Sequence, residues 1–234
     1  MEFVGRHRFE GRQFPREFVR RYARIIPDFD EFVAAMNRPL SRTFRVNTLK
    51  TTKDRVCSLL TEFDPRPLSW FELGFSVACG VGLGRTLAHF LGLIYVQEAA
   101  SMVPPLILAP RPGECVLDIA AAPGSKTTQL AAMMENHGLL VANDVSLQRL
   151  RGLIGNIDRA GCLNVAVCRT DGISLGRQLA GMFDRVLVDA PCSSEGTLRK
   201  SDEALERWSV RGIQRFSGLQ KGLIIAGFDA LKPG

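Results

Sequence analysis

The sequence predicts an α/β protein, a parallel doubly wound sheet preceded by a small α+β domain. Short apolar runs alternate with helical stretches from Tyr95 onward, which is the pattern of β-α-β-α units. Each run ends at small, polar or turn-forming residues, as strands do when their carboxyl ends form a ligand edge. Residues 1–92 follow another pattern, helices first and then short strands between glycine-rich turns. The boundary is placed near Gly92, giving domains 1–92 and 93–234, and no linker-like composition separates them.

Within the first section, Phe18, Tyr22, Ile25 and Ile26, then Phe29, Phe32, Val33 and Met36, recur at helical spacing around Pro27. Two helices over residues 14–37 are expected. A strand follows over Thr43 to Leu49, and Thr51 or Thr52 can cap a helix running to about Phe63. Pro65-Arg66-Pro67 and the stretch from Gly74 to Gly84 read as turns between short strands. In the second section the strands are Cys115 to Ile119, Leu139 to Ala142, Val165 to Cys168 and Arg185 to Asp189. Between them lie a helix from Lys126 to Met134, with Leu130 and Met133 inward, and one capped by Ser146, with Leu147, Leu150, Ile154 and Ile157 on one face.

Composition sets the class. At 46% hydrophobic and 23% charged, the chain matches ordinary globular proteins. A formal charge of +6 and an isoelectric point near 9.2 favour a polyanionic partner. Cations cluster early, at Arg6, Arg8, Arg12, Arg16, Arg20, Arg21, Arg24, Arg38, Arg42, Arg45, Lys50, Lys53 and Arg55, either as a nucleic-acid footprint or as a solvated helix face. The start has no apolar signal core, and the greasiest run, Met102 to Ala109, is short and carries Pro104 and Pro105, so neither secretion nor a membrane span is expected. Six cysteines without a C-x-x-C pair or a histidine at zinc-like spacing point to no metal and no disulfide framework, and to a reducing cytoplasm.

The four strand ends carry the chemistry: Ala120 to Lys126, Asn143-Asp144, Thr170-Asp171-Gly172 and Asp189-Ala190-Pro191-Cys192. Asp144 follows Gly124 by 20 residues, the spacing at which a carboxylate reaches ribose hydroxyls in nucleoside-binding sheets. The first turn is neither G-x-G-x-x-G nor a P-loop, which disfavours a nicotinamide enzyme or an NTPase. Alone, Asp144 or Asp171 is more often a helix cap than a functional group; four signals in register reverse that balance. Cys192 follows a proline on a strand-end loop, where a thiolate could add to C6 of a cytosine and activate C5. Cys57, Cys79, Cys115, Cys162 and Cys168 read as buried structural residues.

Arg45-Val46-Asn47-Thr48-Leu49-Lys50, Gln97-Glu98-Ala99-Ala100-Ser101-Met102, Ala121 to Thr127 and Asp189-Ala190-Pro191-Cys192-Ser193 together resemble the RNA (cytosine-5) methyltransferases related to nucleolar protein Nop2 and bacterial Sun. The resemblance runs from about Arg38 onward, and Glu195 to Lys200 followed by Trp208 is most similar to the bacterial small-subunit rRNA branch. It implies a Rossmann-like methyltransferase domain using S-adenosyl-L-methionine, with RNA as partner, rRNA first and tRNA as the other candidate. By similarity, Ala120, Ala121, Ala122, Pro123, Gly124, Ser125 and Lys126 wrap the methionine end of the cofactor. Asp144 then holds the ribose with Arg149 beside it, Asp171 faces the adenine, and Lys126 and Asp189 also contact the target cytosine. Cys192 resembles the family's second cysteine, which assists release of the methylated base.

In that family, Lys-Pro-Gly leads into a further strand and a Thr-Cys motif whose cysteine attacks C6. This sequence ends at Lys232-Pro233-Gly234, so the expectation is of a sheet whose later strands are missing and of an absent nucleophile segment. The rival readings are an inactive RNA- and cofactor-binding fragment, Cys192 acting as nucleophile itself, and a small-molecule methyltransferase.

Overall fold

A computed structural model describes residues 7–9, 12–38, 40–198 and 206–233. Arg6, Arg199, Lys200 and Gly234 lie outside the described residues. The chain divides into two compact units, residues 1–40 with 191–221 and residues 41–190 with 222–234.

In the first unit, strands β1 (His7–Phe9) and β2 (Arg12–Phe14) form an antiparallel hairpin that periodicity did not reveal. Helices α1 (Arg16–Tyr22) and α2 (Phe29–Asn37) follow, and α1 stops short of Ile25, which is 59% exposed. Phe14, Phe18, Val19, Val33 and Met36 bury their side chains with Leu198 and Trp208. The Trp208 ring meets Phe18 edge-on at 5.1 Å between centroids. The early helices therefore find their apolar partners far along the sequence.

The second unit holds both larger sheets. Its elements are β3 (Arg42–Val46), α3 (Lys53–Leu59), β4 (Arg66–Leu68), β5 (Phe71–Val77), α4 (Leu87–Phe90), β6 (Ile94–Val96) and α5 (Ala99–Leu108). Then come β7 (Cys115–Asp118), α6 (Ser125–Met133), β8 (Leu139–Asn143), α7 (Leu147–Ala160), β9 (Val165–Cys168), α8 (Gly172–Gln178) and β10 (Arg185–Leu187). The long helix α9 (Val210–Asp229) begins in the first unit and ends in the second. The antiparallel sheet has the order β4-β5-β3-β6 and the parallel sheet β10-β7-β8-β9.

Thr52 caps α3 through its hydroxyl, which accepts from the Arg55 N–H, as its position predicted. β3 ends earlier than expected because the Asn47 carboxamide oxygen accepts the Leu49 N–H and turns the chain. Helix α5 tolerates Pro104 and Pro105. The Ser101 carbonyl, which Pro105 cannot serve for want of an N–H, takes the Gln97 side-chain amide at 2.9 Å instead. On α7 the buried stripe is Leu150, Leu153, Ile157 and Ala160, whereas Leu147 and Ile154 are about half exposed. The helix is turned to the other flank of Leu150 from the one expected, because Leu153 packs under the Gly124 turn. On α6 it is Met134, just past the helix, that is fully buried, and Met133 is only partly so. Cys79, expected to be buried, is exposed in the turn after β5; Cys162 is buried, and Cys57, Cys115 and Cys168 are half-buried.

Gly92 lies inside the second unit, where Asn47 ties three segments together. Its amide donates to the carbonyls of Gly92 and Ala160, each at 2.8 Å, and Asn47 is 3% exposed. Arg45 is buried too, donating to Gln97 and Thr128 and packing on the Tyr95 ring at 5.8 Å. Burial pushes its pKa down to about 10. Two residues of the apparent basic footprint are therefore structural, since Lys50 likewise donates to the carbonyls of Leu91 and Arg159. Asn47→Ala strands two buried carbonyls, and at about 1 kcal/mol for each missing hydrogen bond it should cost roughly 2 kcal/mol in urea denaturation. A midpoint equal to wild type would remove Asn47 from the framework.

Candidate active site

β7 pairs on one side with β8 and on the other with β10, so the strand order reverses at β7. In doubly wound sheets that switch point opens a crevice at the carboxyl ends of the strands. Asn143, at the end of β8, draws three of those ends together. Its amide donates to the carbonyls of Ile119 (3.0 Å) and Thr170 (3.1 Å), and its side-chain oxygen accepts the Thr170 N–H at 2.9 Å. By sequence Asn143 stood out only as the neighbour of Asp144; the signal for its bracing role is an asparagine closing an apolar strand.

The loop from Ala120 to Gly124 crosses the top of β7. Ala121 donates its N–H to Asn143 O at 2.7 Å, and Gly124 closes the turn on Ala121 O at 2.8 Å. Gly124 sits at φ +102°, and a Cβ there would lie 2.8 Å from Leu153, so only glycine fits. Arg149 donates to the Ala122 carbonyl and Asn156 to the Pro123 carbonyl, so two side chains of α7 brace the turn.

Asp144 is 2% exposed. One carboxylate oxygen accepts the Ser146 N–H at 2.9 Å; the other, Oδ2, is buried with no hydrogen-bond partner, although Arg149 Nη1 approaches within 3.2 Å. Lys126 and Asp189 meet across the β7–β10 crevice, Nζ donating to Oδ2 at 2.5 Å. Asp171 caps α8, accepting both the N–H and the hydroxyl of Ser174, and these bonds hold its carboxyl below the usual carboxylate range. The cap alternative therefore describes what Asp171 contacts. The second unit thus brings the loop 120–126, Asp144, Arg149 and Asp189 to one edge, with Asp171 at the end of β9; Cys192 is exposed in the first unit.

Asp118, at the end of β7, was read only as part of a strand. It is 1% exposed, accepts the Thr127 hydroxyl at 2.7 Å, and has a second oxygen without a partner. Burial pushes its pKa up to about 7, the Thr127 bond opposing and nearby Asp189 reinforcing the shift. Among the described residues no cluster of three or more histidine, cysteine or acidic side chains could hold a metal, and no helix is long and apolar enough to cross a membrane.

The fold is that of the Rossmann-like methyltransferases. A methyltransferase homologue from Pyrococcus horikoshii superposes with a TM-score of 0.82 at 37% identity, over 94% of this chain and 71% of that one. A second structure, NSun6 from Pyrococcus horikoshii with SFG, shares the fold with a TM-score of 0.83 at 22% identity, over 94% of this chain and 81% of that one. Residues 105–234 match the family described as 16S rRNA methyltransferase RsmB/F, and residues 14–99 match the N-terminal domain of 16S rRNA methyltransferase RsmF. The chain belongs to the RsmB/F family of 16S rRNA methyltransferases, in agreement with the resemblance read from its motifs. Ribosomal RNA small subunit methyltransferase F from Vibrio cholerae serotype O1 is 45% identical over 230 residues, covering 94% of this chain and 49% of the relative. Its counterpart from Shewanella baltica is 44% identical over 238 residues, covering 95% and 49%. The chain spans about half the length of the curated relatives it matches.

Proposed function

We propose that this chain carries the cofactor half of an S-adenosyl-L-methionine-dependent methyltransferase acting on cytosine C5 of small-subunit rRNA in the cytoplasm. The observation that carries the reading is the buried Oδ2 of Asp144, which faces Arg149 at 3.2 Å but accepts no hydrogen bond, at the carboxyl end of a strand next to the switch point. A buried carboxylate oxygen without a hydrogen bond is costly unless a ligand donor completes it, and a ribose diol offers two. When bound, the cofactor supplies an electrophilic methyl group. The loop Ala120 to Lys126 wraps its methionine end, Asp144 and Arg149 take the ribose side, and Asp171 stands toward the adenine. Lys126 and Asp189 hold each other at the mouth, presenting a donor and an acceptor to a cytosine edge. A pair that reads the cytosine amino group would leave a polar group unpaired with uracil.

Cys192 follows Asp189 by three residues and is exposed, consistent with a role at the target base. The domain roles follow the sequence division, with residues 1–92 contacting RNA and 93–234 holding the cofactor; Arg16, Arg20, Arg21 and Arg24 line the early helical segment and are open to phosphates. Titration calorimetry of the chain with S-adenosylmethionine and with S-adenosylhomocysteine tests the reading first, and both should bind. Tritiated-methyl transfer to 16S rRNA by a version extended through the Thr-Cys segment, followed by nucleoside analysis, should yield 5-methylcytidine, whereas residues 1–234 alone should transfer negligibly. Absence of heat with either cofactor form, or a label found on another base, would sink it.

A further inference from the structure

Inside the first unit, the loop that carries Cys192 is anchored on both sides of the cysteine. On one side the Gln220 side-chain amide, from α9, donates to the Pro191 carbonyl at 2.9 Å. On the other, the Ser193 hydroxyl donates to Glu195. Ser194 then turns the chain in the left-handed region, at φ +63°, and its N–H lies on the Cys192 sulfur at 3.4 Å. A residue with a side chain keeps that conformation only where its surroundings enforce it.

Glu195 supplies the enforcement. One of its carboxylate oxygens accepts from Tyr22 Oη at 2.6 Å and from Trp208 Nε1 at 3.1 Å, and the other accepts from the Ser193 hydroxyl. Burial works against its ionisation, but the bonds from Ser193, Tyr22 and Trp208 outweigh it and keep the carboxyl below its usual range. The hub is therefore a carboxylate with charge-assisted bonds, roughly twice as strong as neutral ones. Its donors stand on a packed wall, since the Tyr22 ring lies 4.5 Å from that of Phe18 and Trp208 meets Phe18 edge-on. One acidic side chain thus fastens the loop beyond Cys192 to the end of α1 and to the residue two before α9.

We propose that Glu195 is a positioning residue for Cys192: by tying the loop to Tyr22 and Trp208 it keeps the Ser194 N–H on the cysteine sulfur. The inference rests on the reading of Cys192 as a residue at the target base, and it adds what holds the sulfur in place. The bond bears on chemistry because an N–H stabilises negative charge on a sulfur whenever a thiol gives up its proton. Without the carboxylate, nothing fixes the Ser193 hydroxyl to the wall, Ser194 relaxes to an ordinary conformation and its N–H leaves the sulfur. A hub that served packing alone would leave the reactivity of the sulfur as it is.

The test is peptide-mapped alkylation of the whole chain with iodoacetamide at fixed pH. Cys79, exposed in the second unit, is the internal reference, and the buried Cys162 reports unfolding. Glu195→Ala should lower the ratio of Cys192 to Cys79 labelling rates by about fivefold, the equivalent of one ordinary hydrogen bond lost from the sulfur. Glu195→Gln should restore most of it, because the amide oxygen still accepts from Tyr22 and Trp208 and the NH2 can donate to the Ser193 hydroxyl. A ratio that is unchanged or raised in Glu195→Ala overturns the proposal, as does a glutamine variant no better than alanine. If labelling of Cys162 shows that Glu195→Ala unfolds, Tyr22→Phe and Ser193→Ala decide instead. Each removes one bond from the hub and should lower the ratio by about twofold, and wild-type ratios in both overturn the proposal. Failure to bind S-adenosylmethionine would sink the methyltransferase reading without altering this ratio, whereas an unchanged ratio with cofactor binding intact removes the positioning role alone.

Discussion

Asp144→Ala should weaken S-adenosylmethionine binding by roughly 10- to 150-fold, a loss of about 1.5–3 kcal/mol from charged hydrogen bonding. The carboxylate is buried, one oxygen is committed to the Ser146 N–H, and the other has no hydrogen-bond partner within the protein. That oxygen is the one a ribose hydroxyl would complete. Arg149 lies within ion-pairing distance but is about half exposed, so its charge is hydrated when Asp144 is removed and the folding cost stays small. Asp144→Asn keeps an oxygen for the Ser146 N–H but puts an NH2 donor where Oδ2 stood, so a hydroxyl there can only accept from a neutral group, and affinity should fall between wild type and alanine. Calorimetry and a thermal melt on each variant decide it. Equal affinities in all three proteins, with unchanged melting, would remove Asp144 from the site.

Asp118→Asn should change the pH dependence of stability more than any other single substitution at the strand ends. Asp118 is buried and its folded pKa lies near 7, above the 3.8 of a free aspartate. A raised pKa means that the folded state favours the protonated form. Its contribution is therefore complete below about pH 4 and is lost as pH rises through 7. A separation of about 3 units corresponds to up to about 4 kcal/mol between those limits. Asparagine cannot ionise, yet its oxygen still accepts from Thr127, so the variant should match wild type near pH 4 and exceed it at pH 8. Urea titrations at both values measure the difference, and parallel stability curves would show that Asp118 carries no such linkage.

The parallel sheet was legible because its strands are short apolar runs with turn residues at each carboxyl end, a local pattern that burial on both faces demands. The hairpin at residues 7–14 was not, since three-residue strands leave no measurable period. Periodicity found helix α7 but chose the wrong flank, because Leu147 and Leu153 are both apolar and only packing beneath Gly124 selects between them. Arg45 was open to two readings, an early cation for RNA or a strand residue serving the framework, and only the structure chose, burying it against Tyr95 and Thr128.

Residue type and spacing sufficed for the family, for the alternation of strands and helices from Tyr95 onward, and for the loop and acidic positions at the strand ends. What each polar group meets was set by packing. It bonded Asp171 to Ser174, left an oxygen of Asp144 open, joined Lys126 to Asp189, and buried Asp118 where its charge is unfavourable. It also grouped residues 1–40 with 191–221, so that Phe18 packs on Trp208. Desolvation and hydrogen-bond pairing depend on neighbours distant in sequence, and no local pattern records which of them arrive.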